Sequence, residues 1–194
     1  MEINRFDTPW KHAVIDNLLP DEDFQKVKDY VTSAYDFNKP IKKWYKEFHR
    51  EESDTILAKI LVPKIKEVFG LLFDELNYSG RIVPAETKPF IQFYVLPEGM
   101  RHVIHPDRDW RVMVCVLYVH PEENNGTETY LSNNPNSFCD RVEWKPNRAF
   151  CFVPQEHEGE FPVSWHNFGN DAEKRTGPRA TINLLMATRF DKDY

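Results

Sequence analysis

The sequence predicts an α+β fold that is mainly β, in which helices support a jelly-roll-like arrangement of short strands. Two observations lead to this prediction. Residues 1–80 contain two stretches with apolar side chains at three- and four-residue spacing, which is typical of amphipathic helices. From residue 81 onward, short β-branched and aromatic runs alternate with Pro, Gly and Asn, which indicates many short strands rather than alternating βαβ units.

The N-terminal part contains one predicted strand and two predicted helices. Residues 12–15 form an apolar run typical of a strand, and Pro20 with the carboxylates that follow it indicates the start of a helix. The apolar face of this first helix consists of Phe24, Val27, Val31 and Ala34. The second helix is predicted from about residue 53 to residue 72. We expect Pro63 to kink or restart it, because proline lacks the N–H that an α-helix requires.

The C-terminal part contains the predicted strands. The runs that indicate them are residues 81–83, 90–96, 111–119, 129–131, 141–144, 149–153 and 181–187. There is no internal repeat and no obvious linker, so the sequence predicts one domain over residues 1–194. In that domain residues 1–80 would be a mostly helical support layer, and residues 81–190 would be the β core.

A basic and aromatic segment, residues 42–50, lies between the two predicted helices. Charge runs of this kind are usually solvated, so the favoured interpretation is an exposed face with its aromatic side chains packed inward. A contact with the substrate is the alternative interpretation.

Composition limits the classes of function. The chain has 194 residues, of which 41% are hydrophobic, and a net charge of −6. This acidic balance does not favour broad binding to nucleic acid or to anionic membranes, and no apolar run reaches membrane-spanning length. The three cysteines show no C-x-x-C spacing, and the charged N-terminus does not look like a signal peptide. These features predict reduced thiols in a cytoplasmic protein.

The candidate metal ligands are His105, Asp107 and His166. In an extended chain, His105 and Asp107 point to the same face, so an imidazole and a carboxylate can converge on one divalent ion. Two imidazoles and one carboxylate suit Fe(II) and leave three coordination positions open for a bidentate co-substrate and O₂. The alternative for the first pair is a surface turn, because Pro106 followed by Asp107 is also typical of turns.

Other histidines are weaker candidates. His102 has no carboxylate two residues later, and His157 with Glu160 resembles a loop tip more than a metal site. The remaining histidines, His12, His49 and His120, have no partner pattern.

These motifs together resemble the 2-oxoglutarate- and Fe(II)-dependent dioxygenases, in particular the prolyl-4-hydroxylase-like branch. The resemblance covers about residues 90–186, and its elements follow the order of that family. They are the strand and turn at 93–99, the H-x-D pair at 105–107, the strand at 111–119, the segment at 126–131, the strand at 147–152, His166, and the closing strand at 177–183. The resemblance implies a double-stranded β-helix that holds Fe(II) through His105, Asp107 and His166, with 2-oxoglutarate and O₂ as co-substrates.

A dicarboxylate bound to a metal at one end needs a cation at the other. Arg179 opens an apolar strand, and its planar guanidinium suits bidentate pairing. The usual spacing in the family from the distal histidine is shorter, which keeps Arg175 as the alternative. Tyr118 is similar to a family tyrosine that hydrogen-bonds the same carboxylate, and Tyr94 to another pocket tyrosine. The alternative for both tyrosines is a core aromatic whose hydroxyl has a local partner.

The resemblance implies oxidation of a C–H bond. Halogenating members of the family have a small residue at the position of Asp107, so the carboxylate points to hydroxylation. The predicted substrate is a prolyl or other amino-acid residue in a protein or peptide; a free amino acid or another small molecule is the alternative. Nucleic acid is not favoured, since the related demethylases carry a second arginine where this chain has Leu185. A cupin-like metal- or small-molecule-binding protein without oxygen chemistry is the competing class.

Overall fold

The computed structural model describes residues 1–37, 45–50, 53–97, 103–156, 161–168 and 178–188. Its elements in chain order are β1 (Glu2–Phe6), β2 (His12–Asp16), α1 (Asp21–Ala34), β3 (Tyr45–Arg50), α2 (Ile56–Leu76), β4 (Lys88–Leu96), β5 (Arg111–His120), β6 (Thr127–Tyr130), β7 (Phe138–Val142), β8 (Ala149–Phe152), β9 (His166–Phe168) and β10 (Arg179–Ala187).

The strands form two antiparallel sheets. Seven of them make a large sheet in the order β1-β2-β8-β5-β10-β4-β3, and three make a small sheet in the order β7-β6-β9. Some neighbouring strands are consecutive in sequence, as β1 and β2 are, but those at the centre of the large sheet are distant, as in β8 beside β5 and β5 beside β10. This is a double-stranded β-helix supported by two helices, so the predicted fold class is confirmed.

Side chains of the large sheet alternate between two apolar cores, because successive residues of a strand point to opposite faces. On β10, Ala180, Ile182 and Leu184 belong to the core that also contains the buried residues of the helices. Leu185 and Ala187 belong to a second core, which reaches the small sheet through Val142 on β7 and neighbouring residues. We call this second side of the large sheet its inner face. The candidate functional residues lie on that side.

The two helices cover the other face of the large sheet. Helix α1 begins after Pro20 with three acidic residues in its first turn. Of its predicted apolar face, Val27 and Val31 are buried, Phe24 is half-buried and Ala34 is exposed. Helix α2 is capped by Thr55, whose side chain accepts a hydrogen bond from the Ala58 N–H at 3.2 Å.

The expected restart of the second helix at Pro63 is wrong. Helix α2 continues from Ile56 to Leu76 with Pro63 inside it. Residues before and after the proline, among them Leu61 and Ile65, are buried in the same core. Packing on both sides of Pro63 offsets the cost of a proline inside a helix, which is about 3 kcal/mol from the lost hydrogen bond and the clash of its ring with the preceding turn.

The predicted strand at 81–83 is also wrong. The Asn77 side chain accepts a hydrogen bond from the Arg81 N–H at 2.9 Å and donates one to the Arg81 carbonyl at 2.7 Å. These local bonds hold the chain in a turn after α2 and leave Ile82 exposed. Conversely, the sequence did not predict β1, β3 or β9, although β1, β2 and β3 all join the large sheet from within residues 1–80.

The basic and aromatic segment lies partly outside the described residues, which begin again at residue 45 after residue 37. Its second half forms β3, an edge strand that pairs with β4. There Glu47 accepts a hydrogen bond from the Tyr30 hydroxyl of α1 at 2.5 Å. His49 is buried, and the ring of Tyr30 packs against its ring. The described part of the segment therefore connects the sheet to a helix.

The cysteines are free thiols. Cys115 and Cys151 are buried opposite each other on β5 and β8, and Cys139 is exposed. In the described part of the chain, no helix combines the length and the apolar character needed to cross a membrane.

Gly70 provides a simple prediction about stability. It lies exposed inside α2, and a Cβ added to it would meet no atom within 4 Å. Because glycine has a high conformational entropy in the unfolded chain, Gly70→Ala should raise the free energy of unfolding by about 0.5–1 kcal/mol. A urea titration followed by circular dichroism measures this change. A lower midpoint of unfolding would show that α2 requires glycine there for another reason.

Candidate metal centre

The two candidate histidine ligands are neighbours through their backbones. The His105 N–H donates to the His166 carbonyl, and the His166 N–H donates to the His105 carbonyl, both at 3.1 Å. This short antiparallel bridge joins the segment before β5 to the first residue of β9. The two imidazole rings lie with their centroids 4.6 Å apart.

The candidate carboxylate ligand completes the group. Asp107 Oδ1 lies 3.9 Å from His105 Nε2, and Asp107 Oδ2 lies 4.0 Å from His166 Nε2. One ligand atom from each of the three residues lies within 4.8 Å of the others. Among the residues that the structure describes, this is the only cluster of three or more His, Cys, Asp or Glu side chains with such spacing.

Both histidines present the same nitrogen to the centre. His105 Nδ1 lies 2.9 Å from the Val103 carbonyl, and His166 Nδ1 lies 2.8 Å from the Ser164 carbonyl. A carbonyl only accepts, so each Nδ1 must carry the proton. Each Nε2 then keeps its lone pair for a metal.

The environment sets suitable protonation states. Burial and the neighbouring His166 lower the pKa of His105 to about 4, against the opposing effect of Asp107. Burial alone would raise the pKa of Asp107, but the positive charge of Arg111 and the two histidines outweigh it and lower the pKa. At neutral pH the group therefore offers a neutral imidazole at His105 and an ionised carboxylate, the forms that bind metal.

The depressed pKa of His105 predicts acid sensitivity of the metal-free protein. The native state binds fewer protons than the unfolded chain between pH 6.5 and about 4, so stability is present above this window and is lost as the pH falls through it. The free energy of unfolding should fall across this window by on the order of 3 kcal/mol from this group alone. Urea titrations at pH 7, 5.5 and 4.5, with His105→Asn as the comparison, measure it. Equal pH slopes for the two proteins would contradict the assignment.

Arg179 is a buried cation at the start of β10. It is 6% exposed, and its Nη1 donates to the Asn125 carbonyl at 2.7 Å. Its guanidinium lies 4.0 Å from the ring centre of Phe168 and 5.4 Å from that of Trp144. Burial lowers the pKa of Arg179 to about 10, and Nε has no hydrogen-bond partner among the described residues. Within the described ranges no carboxylate pairs with this guanidinium.

Tyr118, a residue of β5, lies near Arg179. It is fully buried, its ring stacks on Trp144 with the centroids 4.6 Å apart, and its hydroxyl donates to Thr127 Oγ1 at 2.8 Å. Burial raises the pKa of Tyr118 to about 12, while the nearby Arg179 charge opposes that rise. The hydroxyl therefore stays protonated near the Arg179 guanidinium.

Tyr94 lies on the metal side of the site. Its hydroxyl donates to Gln92 Oε1 at 2.8 Å. Burial raises its pKa to about 12, and it lies close enough to Arg111 and Asp107 for their charges to act on it.

The small sheet connects the metal centre to the arginine. In β6 and β9, Thr129 pairs with His166 and Thr127 pairs with Phe168. Directly opposed residues of antiparallel strands share a face, as do residues two apart in one strand. His166 and Phe168 therefore point to the same side of the small sheet. The guanidinium of Arg179 lies over the ring of Phe168.

Sequence reasoning missed three contributors to this site: Arg111, Asn125 and Phe168. Arg111 donates a hydrogen bond to Asp107 Oδ1. Arg111 is the first residue of an apolar strand, the same sequence feature that indicated Arg179. Phe168 follows His166 at the same-face spacing. The other candidates, Arg175, His102, His157 and Glu160, lie outside the described residues.

Comparison with solved structures identifies the fold. A prolyl 4-hydroxylase from Pseudomonas putida aligns with a TM-score of 0.63 and 11% identity, over 91% of this chain and 92% of that one. The chain has the prolyl-hydroxylase fold. A viral collagen prolyl hydroxylase from Paramecium bursaria Chlorella virus-1, solved with 2-oxoglutarate, aligns at 0.59 with 14% identity, over 92% and 96% of the chains. No family model and no curated protein matches the sequence.

Two further structural relatives differ in what they act on. A prolyl hydroxylase from Trichoplax adhaerens, in complex with a peptide of hypoxia-inducible factor, aligns at a TM-score of 0.58 with 16% identity, over 91% of this chain and 83% of that one. SnoN, an α-ketoglutarate-dependent epimerase of nogalamycin biosynthesis, aligns at 0.53 with 8% identity, over 91% and 78%. The fold is therefore shared by proteins that act on peptides and on small molecules.

Proposed function

We propose that the protein is a 2-oxoglutarate- and Fe(II)-dependent dioxygenase that hydroxylates a C–H bond. The observation that carries the proposal is the buried guanidinium of Arg179, which has no anionic partner among the described side chains. A buried charge without a counter-ion is costly, so the site calls for an anion. The distal carboxylate of 2-oxoglutarate would supply it.

The donor set fits the metal. His105 and His166 would bind Fe(II) through Nε2 and Asp107 through its carboxylate, and this set leaves positions for a chelating 2-oxo acid and O₂. Fe(II) held there would supply the redox chemistry for hydroxylation, in which 2-oxoglutarate and O₂ give succinate and CO₂, one atom of O₂ entering succinate and the other the substrate.

The protein binds, orients and shields the reactants. Arg179 would pair with the distal carboxylate, and the Tyr118 hydroxyl would donate to it in place of its present partner Thr127. The rings of Trp10 and Phe152 lie 6.3 and 4.9 Å from the ring of His166, measured between centroids. These side chains keep water from that side of the metal centre.

The proposed substrate is a prolyl or other amino-acid residue of a protein or peptide. The support is the similarity of fold to prolyl hydroxylases, one of them in complex with a peptide. Similarity to an epimerase of antibiotic biosynthesis keeps a small molecule as the alternative.

Anaerobic titration with Fe(II) and 2-oxoglutarate tests the reaction class. The chelate should give a visible charge-transfer band in the wild type, and His166→Ala should remove it. Absence of the band in the wild type, with metal bound, would instead support a cupin-like binding protein.

Succinate release in air then tests the substrate class. Turnover should be stimulated by a peptide pool. Stimulation by free amino acids alone would move the proposal to small molecules.

A further inference from the structure

We propose that Arg111 is a positioning residue that restricts Asp107 to binding the metal through one oxygen. This inference rests on the proposed function, because it concerns how the metal centre keeps room for its co-substrate. Among the described residues, the Arg111 side chain donates a hydrogen bond to Asp107 and none to the candidate histidine ligands or to the Arg179 end of the site. Its effect would pass through Asp107.

The contact that carries the inference is a charge-assisted hydrogen bond from Arg111 Nη1 to Asp107 Oδ1. Both oxygens of this carboxylate lie near a candidate ligand, Oδ1 at 3.9 Å from His105 Nε2 and Oδ2 at 4.0 Å from His166 Nε2, so the contact with Arg111 is what distinguishes them. A guanidinium that holds one carboxylate oxygen weakens that oxygen as a metal donor. The free oxygen, Oδ2, then becomes the preferred metal ligand.

The protein holds Arg111 firmly in this position. The side chain is 16% exposed, and its guanidinium lies 5.1 Å from the centre of the Trp110 ring. The Arg111 carbonyl accepts a hydrogen bond from Arg81 Nη1 at 3.1 Å, and the residue pairs with Ala187 at the end of β10. The hydrogen bond to Asp107 is therefore built into the start of β5.

One-oxygen binding matters because the metal has few positions to spare. A carboxylate can bind a metal through one or both oxygens. With both oxygens bound, Asp107 would occupy a position that a chelating 2-oxo acid and O₂ need. Arg111 prevents this.

Loss of Arg111 should therefore have opposite effects on two ligands. Both carboxylate oxygens become available and the local positive charge disappears, so binding of a divalent metal should persist or strengthen. Binding of 2-oxoglutarate to the metal-loaded protein should weaken, because it must displace a carboxylate oxygen. General damage to the fold would weaken both ligands together.

Co(II) is a suitable probe, since its visible spectrum reports its coordination. Arg111→Met should bind Co(II) at least as tightly as the wild type, show shifted ligand-field bands, and bind 2-oxoglutarate at least tenfold more weakly. Arg111→Lys, which keeps the positive charge and can still donate to Asp107, should recover most of that loss. Arg108→Met is the matched control, because Arg108 lies in the same segment but pairs with Glu156. It should match the wild type in all three measurements.

Unchanged cobalt bands and unchanged 2-oxoglutarate affinity in Arg111→Met would overturn the inference, as would a parallel loss of both ligands in a folded variant. Thermal unfolding checks the fold, and Arg111→Gln replaces the methionine variant if that one is unfolded. A wild type that binds Co(II) but not 2-oxoglutarate would refute the proposed function. The role of Arg111 would then be judged from the cobalt spectra alone.

Discussion

Arg179→Met is expected to weaken 2-oxoglutarate binding by about two orders of magnitude while Co(II) binding stays unchanged. The guanidinium is buried between Phe168 and Trp144 and lacks an anion within the described part of the chain. Removal of one partner of a buried charged pair costs about 2–5 kcal/mol, and each 1.4 kcal/mol is tenfold in affinity. Titration of the cobalt-loaded protein with 2-oxoglutarate measures the loss.

Two further variants sharpen this experiment. Arg179→Lys keeps the charge but loses the planar fork, so its affinity should lie between those of the wild type and the methionine variant. Arg175→Met should bind 2-oxoglutarate like the wild type. The reverse result, with loss of affinity in Arg175→Met and none in Arg179→Met, would show that Arg175 binds the distal carboxylate of 2-oxoglutarate.

Gly126→Ala is expected to destabilise the protein by about 3 kcal/mol or more, at or above the upper end of typical overpacking costs. A Cβ at this position would lie 1.6 Å from the backbone oxygen of Val142, so β6 and β7 could not keep their present pairing. The neighbouring Asn125 carbonyl, which accepts from Arg179, would move as well. We therefore expect weaker binding of 2-oxoglutarate in the fraction that still folds.

Urea titration of Gly126→Ala beside Gly70→Ala gives the comparison, since both changes add one methyl group to a glycine. The expected shifts have opposite signs. Equal stability of Gly126→Ala and the wild type would mean that the small sheet can widen at Val142 without cost.

The sequence was sufficient to predict the fold class and the three residues that the structure brings together as a possible metal centre. The H-x-D spacing and the strand alternation both depend on local geometry, which a sequence carries. The two errors came from a local side-chain hydrogen bond and from tertiary packing. Residues 81–83 look like a strand but are held in a turn by Asn77, and Pro63 lies inside a helix whose two halves are buried together.

The residues missed around the site have a different cause. Arg111 contacts Asp107 only because the chain turns between them before β5 begins, and no periodicity records that turn. Strand β9 has three residues, which is too short to give a pattern. Only the candidate metal ligand His166 indicated where this strand lies in the sequence.

Strand β9 also has a bearing on which diacids the site would accept. It carries the candidate metal ligand His166 at one end and, at the other, Phe168, on whose ring the Arg179 guanidinium lies 4.0 Å from the centre. Both ends of the proposed co-substrate would thus lie beside residues of one strand, in which the rise is about 3.4 Å per residue. The fixed spacing between His166 and Phe168 on this strand would favour the five-carbon 2-oxoglutarate over four-carbon oxaloacetate and six-carbon 2-oxoadipate by length alone.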